Sequence, residues 1–242
     1  MDSYTLLTWL VIILAVLLFG IAKGGFMGSF GMISVPLMSL VIPPSQATAI
    51  LLPLLVCADI VNVSIWYKYV PKKQIIPLCI FGTIGVIGAV LLVGRINEDI
   101  FRFLIGVISI LFALYGLFYK KKIEHLPKGS RGVAAATSGF TSYLAHAGGP
   151  PFIIWVFSQK FTPTQIQALS AAFFAYINFI KVPGYMVNGF FAKDTLLVSL
   201  YILPFAPIGV LLGRYLHHRV KGKIFFYIVY ASLLLTGIKL CL

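Results

Sequence analysis

Hydrophobic residues run in long uninterrupted windows along this chain, and charges punctuate them in short clusters. Windows free of Asp, Glu, Lys and Arg cover 3–22, 24–58, 74–94, 103–119, 132–159, 161–180, 195–213 and 224–238. A helix crosses a bilayer with roughly 17–25 predominantly apolar residues, so the windows predict membrane helices. A transmembrane β-barrel would alternate in segments of about 10 residues, and runs such as LLTWLVIILAVLLF exclude it. The expected fold class is an all-α polytopic membrane protein.

The same pattern repeats. Sliding the chain against itself by 119 positions aligns Gly20 with Gly139, Pro44 with Pro163, Gln46 with Gln165, Ala49 with Ala168, and Gly94-Arg95 with Gly213-Arg214. Matches at Pro, Gly and Arg are not produced by shared hydrophobicity, so an internal duplication is expected. The first transmembrane repeat is residues 1–119, a basic cytoplasmic linker covers 120–130, and the second repeat is 131–242.

Each repeat opens with a glycine-rich broken segment, about 12–39 and 131–158. Three unbroken spans follow in each: about 45–66, 75–93 and 100–119, then 164–184, 195–213 and 224–241. Thr162, Pro163 and Gln165 form a capping-box signature for the helix that starts there.

Composition agrees: 60% of residues are hydrophobic and 10% charged, with a mean hydropathy of +1.00. The net charge of +13 raises a nucleic-acid reading, which the placement of the charges excludes. They flank apolar spans, at Lys68, Lys72 and Lys73, at Lys120, Lys121, Lys122, Lys128 and Arg131, and at Arg214, Arg219, Lys221 and Lys223. That is the cytoplasmic-loop pattern of the positive-inside rule, with anionic membrane lipid as a contact.

Asp2 precedes the first apolar run and no basic n-region does, so residues 5–22 read as retained rather than as a signal peptide. Cys57, Cys79 and Cys241 are odd in number and apolar in setting, which predicts small core residues rather than disulfide or zinc ligands.

Two topologies compete. If both broken segments cross, the basic loop 214–223 lies opposite the other two. If both re-enter, all three basic loops share the cytoplasmic side, and the charge rule favours this version. Three crossings per repeat then invert the second copy, the design that permits alternating access around a midplane site.

Few polar groups lie within the membrane zone: Lys23, Asp59, His146 and Lys181, with Asn62 and Asn178. An ionisable group there costs about 2.5–3.5 kcal/mol unless paired or wet, so each is a functional candidate. The breaks KGGFMGSFG and LAHAGGPPF carry Gly24, Gly25 and Gly28, and Gly148 and Gly149, which let backbone unwind and approach a ligand. Pro36, Pro150 and Pro151 mark the helix breaks, the last two suiting the first turn of a second half-helix. Half-helix N-termini favour an anion.

The offset places Asp59 on Asn178 and Asn62 on Lys181, two i, i+3 pairs expected to face each other. Lys23, Lys181, Asp59 and neutral His146 sum to +1, a pocket preferring an anion. Candidate substrate-binding residues are Lys23, Gly24, Gly25, Gly28, His146, Gly148, Gly149, Asn178 and Lys181. Candidate proton carriers are Asp59 and His146.

Each candidate has a structural alternative. The glycines can serve close helix packing. Asp59 can be a mere ion-pair partner, His146 a packing residue, and Lys181 a snorkelling one. Arg95 and Arg214 are expected to anchor equivalent spans at the interface, and His217 and His218 sit in a basic loop.

The stretches KGGFMGSFGMISVP and PPSQATA, with AHAGGPP and ALSAAFFAYINFIK in the second half, resemble the TauE/SafE family of sulfite exporters and sulfonate uptake permeases over essentially the whole chain. The resemblance implies a multi-pass cell-membrane transporter for a small inorganic or organic sulfur anion. It places motif positions at Lys23, Gly24, Gly25, Gly28, Pro36, His146, Gly148, Gly149 and Pro150.

The leading expectation is a secondary transporter for sulfite or an organosulfonate, working by alternating access between the two broken helices, with proton coupling as an option. A passive anion channel is the alternative. An intramembrane enzyme built on His146 and Asp59 lacks a paired nucleophile and a metal-ligand cluster. No cofactor, metal or nucleic-acid partner is expected.

Overall fold

The computed structural model describes residues 4–25, 31–118, 126–127, 129–217 and 222–242. Among them every regular element is helical: α1 (Leu6–Gly25), α2 (Ser34–Met38), α3 (Pro44–Trp66), α4 (Lys72–Val93), α5 (Glu98–Phe118), α6 (Ser130–Ala145), α7 (Gly149–Phe157), α8 (Pro163–Val187), α9 (Lys193–Ile202), α10 (Phe205–His217) and α11 (Gly222–Cys241). Five of these are long and apolar enough to cross a membrane, and the bent pair α9–α10 makes a sixth.

Because lipid is as apolar as leucine, these helices sort their faces by size rather than polarity. On α4, Ile76, Ile80, Ile84, Ile87 and Leu91 are exposed along one stripe, a lipid-facing surface with helical spacing. Its opposite face buries Gly82, Gly85, Val86 and Ala89. A Cβ on Gly85 would stand 1.9 Å from the Ala136 carbonyl oxygen, and one on Gly139 2.1 Å from that of Gly82, so α4 and α6 touch backbone to backbone. Gly20, Gly209 and Gly213 bring α1 and α10 equally close.

Hydrogen bonds between helix ends fix the path. The Tyr4 hydroxyl donates to Gln46 Oε1 at 3.0 Å, so the start of α1 lies beside the start of α3. Ser34 Oγ donates to the Ala15 carbonyl at 2.8 Å, folding α2 back along α1. The segment thus enters and leaves at one side. In the second half, Ser138 Oγ donates to the Gly148 carbonyl at 2.6 Å, and α7 returns along α6.

Ser45 N–H donates to Glu98 Oε2, placing the start of α5 with that of α3. Arg131 Nη1 donates to Gln74 Oε1 at 2.9 Å, placing the start of α6 with that of α4, at the opposite side. The connections α3–α4, α5–α6 and α10–α11, which carry the basic clusters, therefore share one side, and those from α4 to α5 and α8 to α9 share the other. By the positive-inside rule the first side is the one expected to be cytoplasmic.

Helix contacts exchange under the offset of 119. α1 packs on α10 while α6 packs on α4, α3 packs on α8, and α5 packs on α11. The two halves interleave rather than forming separate lobes.

Several expectations need correction. The span at 195–213 is not unbroken: α9 and α10 meet at 44°, because Pro204 lacks an amide and clashes with the preceding turn. The first broken segment starts at Leu6, earlier than about 12. Pro36 lies in the first turn of α2 rather than at the break. Cys57 is exposed and Cys79 and Cys241 are half-buried; an apolar thiol suits a lipid-facing surface as well as a core. Gly28, His218 and most of the 120–130 linker lie outside the described residues, and Gly24 and Gly25 are placed only as the end of α1.

Two outcomes are expected. Gly85→Ala forces α4 from α6 and lowers the melting temperature in detergent by on the order of 5 °C, whereas Gly129→Ala, whose Cβ meets nothing within 4 Å, leaves it unchanged. In a background with Cys57, Cys79 and Cys241 replaced by alanine, a membrane-impermeant maleimide added to whole cells modifies Asp194→Cys and spares Lys72→Cys. The reverse pattern would invert the assigned sides.

Candidate functional site

The membrane-zone charges converge where α3 crosses α8. Asp59 stands fifteen residues beyond Pro44, and Asn178 fifteen beyond Pro163. Those helices start at opposite sides, so both residues lie about 22 Å along their helices at 1.5 Å per residue, near the midplane.

Asp59 is the hub. Its Oδ1 accepts from Lys23 Nζ at 2.9 Å and its Oδ2 from Asn178 Nδ2 at 2.5 Å. Asp59 and Asn178, which the offset of 119 aligns, are hydrogen-bonded to each other. Lys23, on the last turn of α1, keeps 14% of its side chain accessible, with Nζ 5.3 Å from the Phe19 ring centroid.

A second cluster lies beside the first. His146 follows α6 with φ 50°, the one non-glycine residue at positive φ among those described, in a position that ordinarily favours glycine. This left-handed turn aims its ring at two partners. Nε2 lies 2.9 Å from the Thr48 carbonyl oxygen and Nδ1 2.7 Å from Lys181 Nζ.

The carbonyl can only accept, so Nε2 carries a proton. Between Nδ1 and the lysine nitrogen there is then room for one proton. Lys181 also donates to the Ser142 carbonyl at 3.1 Å and Ser142 Oγ at 3.2 Å, using all three donors. Lys23 and Asp59 cancel each other within their ion pair.

Beside these groups opens a cavity of about 100 Å³. Lys23, Asp59, Asn62, His146 and Asn178 line its polar side; Phe19, Leu55, Ile153 and Phe174 line its apolar side. Gly149 also lines it, and a Cβ there would meet no atom within 4 Å, whereas one on Gly148 would lie 2.6 Å from the Ser138 carbonyl oxygen. Gly148 thus closes the α6–α7 turn, and Gly149 leaves room at the cavity.

Pro150 and Pro151 occupy the first turn of α7. They contribute no amide, so the donors at that end come from Gly148 and Gly149.

Lys181 does not line the cavity. It is fully buried behind His146, which also removes the snorkelling alternative. Sequence reasoning passed over Gln167, Ser170 and Ser142, which do line it. Ser142 was within reach, since the offset makes it the counterpart of Lys23. Gln167 and Asn62 are half-buried and line the cavity, with no hydrogen bond from either amide among the described residues. Two Lys23 protons, these amides and the Ser142 hydroxyl give a small oxyanion charge-assisted and neutral donors together, while the Ser170 hydroxyl donates to the Ile166 carbonyl.

A sequence profile described as sulfite exporter TauE/SafE matches residues 12–240. No curated protein and no solved structure matches. The matched range contains the second hairpin, all but the opening turns of the first, the Asp59–Asn178 crossing and the cavity. Its helices make this a multi-pass membrane protein, and at the level of the family a transporter of sulfur anions rather than an enzyme. With the match spanning nearly every residue, the chain belongs to the TauE/SafE sulfite exporter family.

Proposed function

We propose that the protein is a secondary carrier for a small sulfur oxyanion, sulfite or a short organosulfonate, which binds in the cavity between the two helical hairpins. The observation that carries this reading is that the Lys23 ammonium, held by Asp59, and the His146 ring, backed by Lys181, face a cavity of about 100 Å³. A cation would meet the Lys23 ammonium with only the Asp59 carboxylate, already paired with it, in its favour. An anion meets that ammonium and the side-chain amides of Asn62 and Gln167.

Two interleaved halves with hairpins that start from opposite sides support transport by alternating access. The paired helix contacts that exchange under the offset of 119 support the inverted-repeat reading.

Proton coupling is assigned to His146 and Lys181, which hold one proton between two nitrogens 2.7 Å apart. Asp59 is then the ion-pair partner that keeps Lys23 in place when the cavity is empty. In His146→Asn the left-handed turn survives, because Asn tolerates it, and the shared proton site is lost.

The test is uptake of labelled sulfite and of a sulfonate into proteoliposomes. Lys23→Ala removes a charge-assisted contact worth about 1.5–3 kcal/mol, so uptake falls about tenfold or more. Gly149→Ala folds normally and lowers uptake by narrowing the cavity. Undiminished uptake in both variants would remove the cavity from the reading, and conductance that never saturates would make the protein a channel.

The coupling assignment has its own readout. Uptake of a sulfonate, whose charge is fixed, should vary with pH in the natural protein and lose that variation in His146→Asn. Equal pH profiles for the two proteins would move the coupling proton elsewhere.

A further inference from the structure

The lining of the cavity extends farthest toward one side, following Phe174, Ser170 and Gln167 along α8 toward Pro163, the start of that helix on the side assigned as cytoplasmic. Toward the outer side, aromatic residues pack across the route among the described residues. Tyr143 and Tyr185 are fully buried and packed edge to face at 4.8 Å. The Tyr185 hydroxyl donates to the Tyr143 carbonyl at 2.8 Å, and Asn188 Nδ2 donates to the Tyr143 hydroxyl at 2.7 Å.

The repeat offset gives each lining residue a counterpart in the other half, and accessibility divides sharply within the pairs. Gln167, Ser170, Ile153 and Asn62 are half-buried and face the cavity. Their counterparts Thr48, Leu51, Ser34 and Lys181 are 0–1% accessible. Thr48 stands near the outer start of α3, as Gln167 stands near the cytoplasmic start of α8. The counterpart of Tyr143, which plugs the outer route, is Gly24.

Resting on the carrier reading above, we infer that this conformation is the inward-open one and that its outward-open partner is lined by Ser34, Thr48, Leu51 and Lys181. In that partner Lys181 takes against the anion the place that Asn62 holds here, and the Tyr143–Tyr185–Asn188 contacts are the outer gate that parts. The anion would then meet Lys23 in both states, with Asn62 beside it on the cytoplasmic side and Lys181 on the outer side. Exchange between states requires Lys181 to leave Ser142 and His146, so the group that holds the shared proton is also the group that moves into contact with substrate.

Single-cysteine variants test this in the background with Cys57, Cys79 and Cys241 replaced by alanine, with Leu51→Cys standing in if Thr48→Cys fails to fold. A membrane-impermeant maleimide is applied from each side of oriented vesicles while a sulfite gradient is imposed in either direction, and sulfite flux is followed in the same preparations. Gln167→Cys is expected to react from the cytoplasmic side alone and Thr48→Cys from the outer side alone. A gradient that raises one rate severalfold should lower the other.

Saturable flux with Thr48→Cys and Leu51→Cys unreactive from outside under every gradient would overturn the outer route while leaving the carrier reading intact. Both sites reacting in step, with flux that does not saturate, would overturn the carrier reading itself.

Discussion

A carboxylate at mid-membrane is tolerable only if both of its oxygens are satisfied, and the arrangement of this protein follows from how Asp59 meets that condition. One oxygen takes the ammonium of Lys23 and the other the amide of Asn178. The first contact ties α3 to the end of the first hairpin, and the second ties it to the matching helix of the other half. Removing one partner from such a buried pair costs about 3–5 kcal/mol, so α1, α3 and α8 are held at a single point. Polar anchoring there needs close helix approach elsewhere, and the glycine contacts between α4 and α6 and between α1 and α10 supply it.

The second cluster shows a different compromise. A left-handed turn at a residue with a side chain costs roughly 1–2 kcal/mol, and glycine would avoid it. His146 accepts that strain because only from this turn does its ring reach both Thr48 and Lys181. The result is a lysine buried without a carboxylate of its own, balanced by an imidazole that shares its proton. Neutral Lys181 with charged His146, or the reverse, differ by a movement of one hydrogen, which leaves the surrounding packing unchanged.

Hydropathy alone made the membrane class legible, and the offset of 119 located the residues that meet at the crossing. The capping box at Thr162 was equally plain: Thr162 Oγ accepts from the Gln165 amide at 3.2 Å and Gln165 Oε1 from the Thr162 amide at 3.1 Å. What the sequence did not reveal was which half-buried polar groups face the cavity. Gln167 and Ser170 sit among apolar residues on a helix where lipid, core and cavity faces carry nearly the same composition. The bend at Pro204 had its signal in the sequence, but Pro53, Pro77 and Pro183 lie within continuous helices, so a proline by itself does not decide. Lys181 had a reachable interface by helix length alone, and only the three acceptors supplied by Ser142 and His146 hold it inside.

The interleaving of the halves bears on how the chain is made. The surface that α4 offers through Gly85 is filled by α6, which follows it by only one intervening helix. The surface that α1 offers through Gly20 is filled by α10, near the other end of the chain. During synthesis the first hairpin, with Lys23 at its tip, must therefore wait in the membrane until almost every later helix has been inserted. Lys23 and Asp59 belong to the first helices to appear and can neutralise each other early, making the ion pair a provisional shelter for two charges during assembly as well as a fixture of the finished site.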